Sequence, residues 1–139
     1  MLINKENITS IIPQRAPFVM IDSLLDANEG GFNTQFRITS DNLFLENGVL
    51  SESSLIENIA QTCAAGFGYL NSLVEGGEPK LGFIGAVTQV KVEKAAKLDD
   101  LIETSVQVLS TFDTIHLVEG IAKANGATLV TCQMKIVLA

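Results

Sequence analysis

Apolar positions along the chain fall into two regimes, alternating runs and one long continuous run. Phe32, Thr34, Phe36 and Ile38 recur at every second position, the signature of a strand with one face buried. Just upstream, FVMIDSLLD (18–26) is apolar enough to predict a strand covered on both faces. Gly30-Gly31 between them predicts the turn of a hairpin. Asn4 predicts the cap of a short helix over 5–11, stopped by Pro13. Residues 41–48 show neither period and predict a loop. From Glu52 to Leu73 the pattern predicts one helix, apolar nearly all round, ending near Gly76-Gly77 and Pro79. Four strands are then predicted in quick succession, over 81–95, 101–112, 115–124 and 128–138. Their links are KLDD, DT and Asn125-Gly126, the last a strong two-residue hairpin signal. Links this short cannot carry parallel crossovers, so the four strands are expected to form an antiparallel meander.

A helix apolar on most sides has to be wrapped. A curved antiparallel sheet folded around one long central helix does this, giving a single α+β domain over 1–139 that resembles the hotdog arrangement. Hydrophobic residues make up 47% of the 139 residues, with a mean hydropathy of +0.32. That is high for a small monomer and favours an apolar face buried against another subunit. The formal charge of −7 argues against nucleic acid as a partner. An acidic partner would need a local basic patch, and Lys80, Lys91, Lys94 and Lys97 are four of only nine basic residues. They read either as a solvated strand edge that discourages aggregation or as a docking patch for an acidic carrier protein. No run of 18 apolar residues exists to span a membrane, and MLINKENITS lacks the features of a signal peptide. Cys63 and Cys132 lie in apolar contexts without CxxC spacing, as reduced core residues of a cytoplasmic protein do.

Candidate chemistry centres on the start of the apolar helix. Glu57 has two readings. If the helix starts at Ser54, Ser54-Leu55-Ile56-Glu57 forms a capping box and the carboxylate is structural. If Ser51 is the N-cap, Glu57 lies inside the helix on an apolar surface, where burial prepares a general acid or base. Gln61 is one turn on and shares its face, able to orient the carboxylate. The unsatisfied N–H groups at Ser53 and Ser54 could polarise a carbonyl as an oxyanion hole does. His116, the only histidine, reads as structural or solvated. No metal-ligand spacing, P-loop, GxSxG or GxGxxG motif is present, so neither a metal nor a cofactor is expected.

Three stretches carry a family resemblance that covers nearly the whole chain. IIPQRAPFVMIDSLLD, LIENIAQTCAAGFGYL and FIGAVTQVKVEKAAKLDDLIETSVQVL resemble, in order and spacing, the opening motif, central helix and strand pair of FabZ-type 3-hydroxyacyl-[acyl carrier protein] dehydratases of the hotdog superfamily. The resemblance implies a hotdog dimer with two active sites at the subunit interface. It also implies an acyl carrier protein or CoA thioester as substrate, and Glu57 and Gln61 in the positions of the family's helix glutamate and glutamine. The family's catalytic His belongs to an H-F-P-G motif fourteen residues before the Glu. Leu43 stands there, and only Phe44 of the motif survives. Ser51-Glu52 replaces the family's P-G, and Gln14 replaces the His of the opening motif. In this respect the chain resembles a divergent subgroup associated with aryl-polyene and flexirubin-type pigment clusters. Gln14, Leu43, Phe44 and Gly85 (of F-x-G) are the candidate pocket residues. Three functions remain open: a dehydratase working through Glu57, a hotdog acyl-thioesterase in which Glu57 activates water, and a non-catalytic acyl-binding subunit paired with a His-bearing hotdog partner.

Overall fold

The computed structural model describes residues 1–74 and 82–138. The eight strands are β1 (Ser23–Asn28), β2 (Gly31–Arg37), β3 (Leu45–Glu46), β4 (Val49–Leu50), β5 (Gly82–Val92), β6 (Leu101–Phe112), β7 (Ile115–Ala124) and β8 (Ala127–Leu138), with one helix, α1 (Glu52–Ser72), between β4 and β5. Six strands form an antiparallel sheet in the order β1-β2-β6-β7-β8-β5. The helix lies against one face of it, touching every strand of the sheet. Alternation works as expected on β2 and β6. Phe32, Thr34 and Phe36 face the helix from β2, and Ile102, Thr104 and Val106 face it from β6.

Four expectations are corrected. Residues 5–11 form no α-helix; a single 3-10 turn occupies Ile8–Ser10, although Asn4 Oδ1 does accept the Asn7 N–H at 3.1 Å. The strand expected from residue 18 begins only at Ser23. Helix side chains satisfy the backbone of Phe18 and Met20 instead of a neighbouring strand, which holds this stretch off the sheet. The expected loop over 41–48 contains a tight hairpin, β3–β4. It turns on Asn47-Gly48 with φ of 54° and 76°, matching Asn125-Gly126 at the β7–β8 turn.

The fourth correction concerns topology. β6, β7 and β8 form a meander, but β5 pairs with β8 at the far edge instead of with β6. Residues 93–100 therefore run from the edge strand β5 past β8 and β7 to reach β6 inside the sheet. Eight extended residues reach about 26 Å, whereas three strand spacings need only about 14 Å. The crossing is pinned along its way. Glu93 and Lys94 donate to the Leu129 carbonyl, Ala96 is buried and accepts from Leu50, and Leu98 donates to Gly48. A short link can thus serve an antiparallel crossover as well as a hairpin.

Two glycines allow the helix to sit this close. A Cβ on Gly66 would lie 2.1 Å from the ring of Phe32, and one on Gly120 would lie 2.3 Å from Ile59. Phe32 is buried at 1% exposure and cannot yield. We therefore expect Gly66→Ala to cost about 2 kcal/mol, the overpacking penalty outweighing the gain of about 1 kcal/mol in helix propensity. Thermal denaturation checks this; a variant as stable as the parent would show that the Phe32 contact is slack.

β5 is the exception to the buried pattern. Phe83, Ile84, Val87, Val90 and Val92 are each between 37% and 51% exposed on this outermost strand. A long apolar edge strand invites another chain.

Candidate active site

α1 starts at Glu52 with Ser51 as N-cap. Glu57 is therefore well inside the helix, and the third helical position that a capping box would require belongs to Ser54. The capping role for Glu57 is excluded by this geometry. No side-chain cap bond forms to the backbone; the Ser51 hydroxyl bonds the Ser54 hydroxyl at 2.5 Å instead.

Glu57 is half-buried, and its Oε1 accepts a hydrogen bond from Gln61 Nε2 at 2.9 Å. Gln61 is fully buried and makes two further bonds. Its Nε2 donates to the Phe18 carbonyl at 2.9 Å, and its Oε1 accepts the Met20 N–H at 2.6 Å. A single amide thus fixes the carboxylate and ties the 18–20 segment to the helix. The i,i+4 spacing made this pairing readable in advance.

A second set of polar residues, not anticipated from the sequence, supports the first. Asn58 Nδ2 donates to the Met20 carbonyl at 2.8 Å, and its Oδ1 accepts from the Thr104 hydroxyl at 2.5 Å. Thr62 bonds back to the Asn58 carbonyl and meets the Thr34 hydroxyl at 2.7 Å. Asn58, Thr62, Thr34 and Thr104 are all buried, and each has its partner. The one available signal was the presence of Asn and Thr inside an apolar helix, facing Thr on apolar strand faces.

Glu57 opens onto a cavity of about 510 Å³, a size that suits a small organic ligand. Its floor is one helix face, Glu57, Ala60, Ala64, Phe67 and Gly68. Small side chains along this line leave the groove. Residues 9–15 form one wall; Gly82, Phe83 and Ile84 of β5 form another. Gly68 lets the first wall close, since a Cβ there would lie 2.2 Å from the Ile11 carbonyl oxygen. Phe67 is held edge-on to Phe32 at 4.9 Å and against His116 at 4.5 Å.

Among the described lining residues, three carry titratable side chains: Glu57, Arg15 and Cys63. Arg15 donates to the Ile12 and Gln14 carbonyls. Burial pushes the Cys63 thiol far up, with Cys132 nearby adding to the shift. Burial likewise pushes Cys132 up to about 11. Glu57 is the one carboxylate among the described lining residues. His116 stands outside the cavity, bonded through Nδ1 to Thr111 at 2.9 Å, with burial lowering its pKa.

The other candidates divide. Gln14 lines the cavity with Glu57. Leu43 is 55% exposed, Phe44 packs partly buried against the core, and Gly85 sits at a bulge of β5; none of the three borders the cavity of a single chain. Ser53 and Ser54 are also outside it, and the Ser54 N–H is already committed to the Ser51 carbonyl at 3.1 Å. Lys91 is exposed and pairs with Glu93 at 3.3 Å. Lys94 and Lys97 are exposed on the 93–100 crossing, and Lys80 lies outside the described residues. Among the described residues no helix is long and apolar enough to cross a membrane.

The chain is similar to known proteins along nearly its whole length. The chain is 28% identical to the 3-hydroxyacyl-[acyl-carrier-protein] dehydratase FabZ of Oceanobacillus iheyensis, over 99% of each chain. It is 23% identical to the FabZ of Bacillus subtilis, over 99% of this chain and 98% of that one. The dehydratase heterocomplex ApeI:P from Xenorhabdus doucetiae superposes with a TM-score of 0.87 at 19% identity, covering 95% of this chain and 90% of that chain. A Streptococcus pneumoniae protein described as a hypothetical thioesterase, with coenzyme A, gives a TM-score of 0.68 at 12% identity, over 84% of each chain. These likenesses identify the fold as a hotdog. The ApeP-like family, described as ApeP dehydratase, matches residues 6–138, and the chain belongs to that family.

Proposed function

We propose that this chain is a 3-hydroxyacyl-thioester dehydratase, removing water from a 3-hydroxyacyl carrier-protein thioester to give the enoyl thioester. The observation that carries this reading is the carboxylate of Glu57, clamped by Gln61 at the wall of a largely apolar cavity. Elimination needs a base at C2 and an acid at the 3-hydroxyl. A single carboxylate can serve both in turn, accepting the C2 proton and returning it to the departing oxygen on the same face.

The second part of the proposal concerns assembly. The apolar edge of β5 is the surface we assign to a second hotdog subunit, and its Gly82–Ile84 stretch already borders the cavity. In such a dimer, Leu43, Phe44 and the Ser53 N–H of one subunit would approach the Glu57 cavity of the other. This would account for their absence from the cavity of a single chain. A partner bearing the histidine that Leu43 replaces would supply the separate acid, a reading favoured by the similarity to one component of a dehydratase heterocomplex. Lys91, Lys94 and Lys97 are the residues we assign to docking of an acidic carrier, in the cytoplasm.

Incubation with 3-hydroxyacyl carrier protein, followed by mass spectrometry, separates the readings. Enoyl product from this chain alone supports the single-carboxylate dehydratase. Enoyl product only after a His-bearing hotdog partner is added supports the shared site, and free acid supports a thioesterase.

Chain length has its own determinant. Phe67 and Leu138 border both the Glu57 cavity and a smaller depression formed with Glu29, Leu70, Asn71 and Val74. Phe67→Ala should join the two and shift the preferred acyl chain upward by several carbons, read from kcat/KM across a chain-length series. An unchanged optimum would remove Phe67 as the end wall.

A further inference from the structure

The segment that walls the Glu57 cavity has a direction. Ile11 lies against Gly68, toward the C-terminal end of the helix. Further along, the Phe18 carbonyl accepts from Gln61 Nε2, the same nitrogen that holds Glu57. Residues 11–18 therefore run antiparallel to the helix, from its Phe67 end toward its Glu57 end. Arg15 belongs to the Glu57 end, because its carbonyl accepts the Phe18 N–H at 2.9 Å. It is an exposed residue that lines the cavity, and the only basic one among the described lining residues. Its guanidinium is held in place. Nη1 donates to the Ile12 and Gln14 carbonyls, each at 2.8 Å, which uses both hydrogens of that nitrogen. Among the described residues Nε and Nη2 have no protein acceptor, and no carboxylate pairs with Arg15. A long side chain is thus fixed at the cavity rim with the Nε–Nη2 edge of its fork left over. Fixing it in advance removes most of the ordering cost that a ligand would otherwise bear.

We infer that Arg15 clamps the head of the thioester, its Nε–Nη2 edge donating to a carbonyl oxygen, and so sets the substrate's direction, head at Arg15 and acyl tail toward Phe67. This rests on the proposal that an acyl thioester enters the cavity. A guanidinium has donors only, so its ligand must bring an acceptor. A neutral oxygen fits better than an anion, since Glu57 lines the same cavity and the chain's formal charge is −7. A carrier thioester has such oxygens close to its sulfur, on the thioester itself and on the first amide of the pantetheine arm. The other end of the cavity suits a hydrocarbon tail, because Ala64, Phe67, Gly68, Ile136 and Leu138 bring no polar side chain. With the tail there and the head at Arg15, the reacting carbons pass the stretch of helix that carries Glu57.

The test measures dissociation constants by calorimetry for three eight-carbon probes that lack the 3-hydroxyl and so cannot be dehydrated. Octanoyl N-acetylcysteamine thioester has both carbonyls, S-butyl octanethioate only that of the thioester, and the S-octyl N-acetylcysteamine thioether only that of the amide. The parent protein should bind the first probe about tenfold more tightly than whichever probe lacks the clamped carbonyl. Weak binding of the butyl probe assigns the clamp to the arm amide. Weak binding of the thioether assigns it to the thioester oxygen, where charge gathers as C2 loses its proton. In Arg15→Met that tenfold ratio should fall to about one. The ratio is taken within one variant, so a general loosening of the turn does not imitate the result. Should Arg15→Met melt below the assay temperature, Arg15→Lys carries the same comparison. Its ammonium can still donate to the Ile12 and Gln14 carbonyls but has no second edge, and the ratio should again fall. A ratio that survives the substitution overturns the assignment, as does a parent protein that binds all three probes equally or none. The dehydratase reading fails separately, by absence of enoyl product from 3-hydroxyacyl carrier protein even where the probe ratios behave as expected.

Discussion

Glu57→Gln should lower the rate of enoyl formation by at least about 10²-fold, while leaving the fold and substrate affinity close to those of the parent. General acid–base help from a positioned side chain is typically worth about 10²–10⁴-fold. Here the loss should fall toward the upper end if one carboxylate performs both proton transfers. The neighbours make the substitution clean. Glu57 is half-buried, and its Oε1 accepts a hydrogen bond from Gln61 Nε2. The Oε1 of a glutamine at 57 can accept the same bond, so stability should change little. Steady-state kinetics beside a thermal melt check the two halves together. A variant retaining most of its rate would mean that Glu57 orients substrate and that the proton moves elsewhere.

Gln61→Leu should have the largest effect on stability and a secondary effect on rate. The amide makes three hydrogen bonds, to Met20 N–H, the Phe18 carbonyl and Glu57, from a fully buried position. Leucine fills a similar volume but leaves the Met20 N–H and the Phe18 carbonyl without these partners. Stranded buried backbone groups cost about 1–3 kcal/mol each, so a total loss of about 3 kcal/mol is expected. For a chain of this size that lowers the melting temperature by about 10 °C. The rate below the melt should fall about tenfold as the carboxylate loses its tether, with KM also disturbed because the 18–20 segment follows the Gln14 wall. A Gln61→Leu protein that melts with the parent would show that these bonds carry little net free energy.

The pair at the centre of the account was legible because both members lie on one helix, four residues apart. The bounds of β6 and β7 were legible as well, since strict alternation and short turns mark them, and so was the apolar helix with its wrapped position. What escaped were relations between residues distant in the chain. Asn58 and Thr62 look like ordinary helix positions until Met20, Thr34 and Thr104 are brought against them. The apolar run at 18–22 reads as strand by composition, yet its backbone bonds are taken by helix side chains. β5 follows the helix and precedes β6, so adjacency suggested pairing with β6. The anchors at Leu129, Leu50 and Gly48 that lead the chain across are backbone groups, which composition does not reveal. Asn47-Gly48 carried the same turn signal as Asn125-Gly126. It was obscured by flanking strands of two residues each, too short to show a period. Glu57, for which burial inside the helix was one of two readings, is half-buried and tethered by Gln61.

The most direct test of the central claim runs the reaction backwards. The enoyl thioester is incubated with the purified protein in heavy water, alone and with Glu57→Gln as control, and products are followed by mass spectrometry. If Glu57 mediates proton transfer at C2 coupled to the 3-hydroxyl, the parent protein should form 3-hydroxyacyl thioester carrying one deuterium at C2, and the variant should not. Release of free acid, or label entering C2 equally with Glu57→Gln, would contradict it.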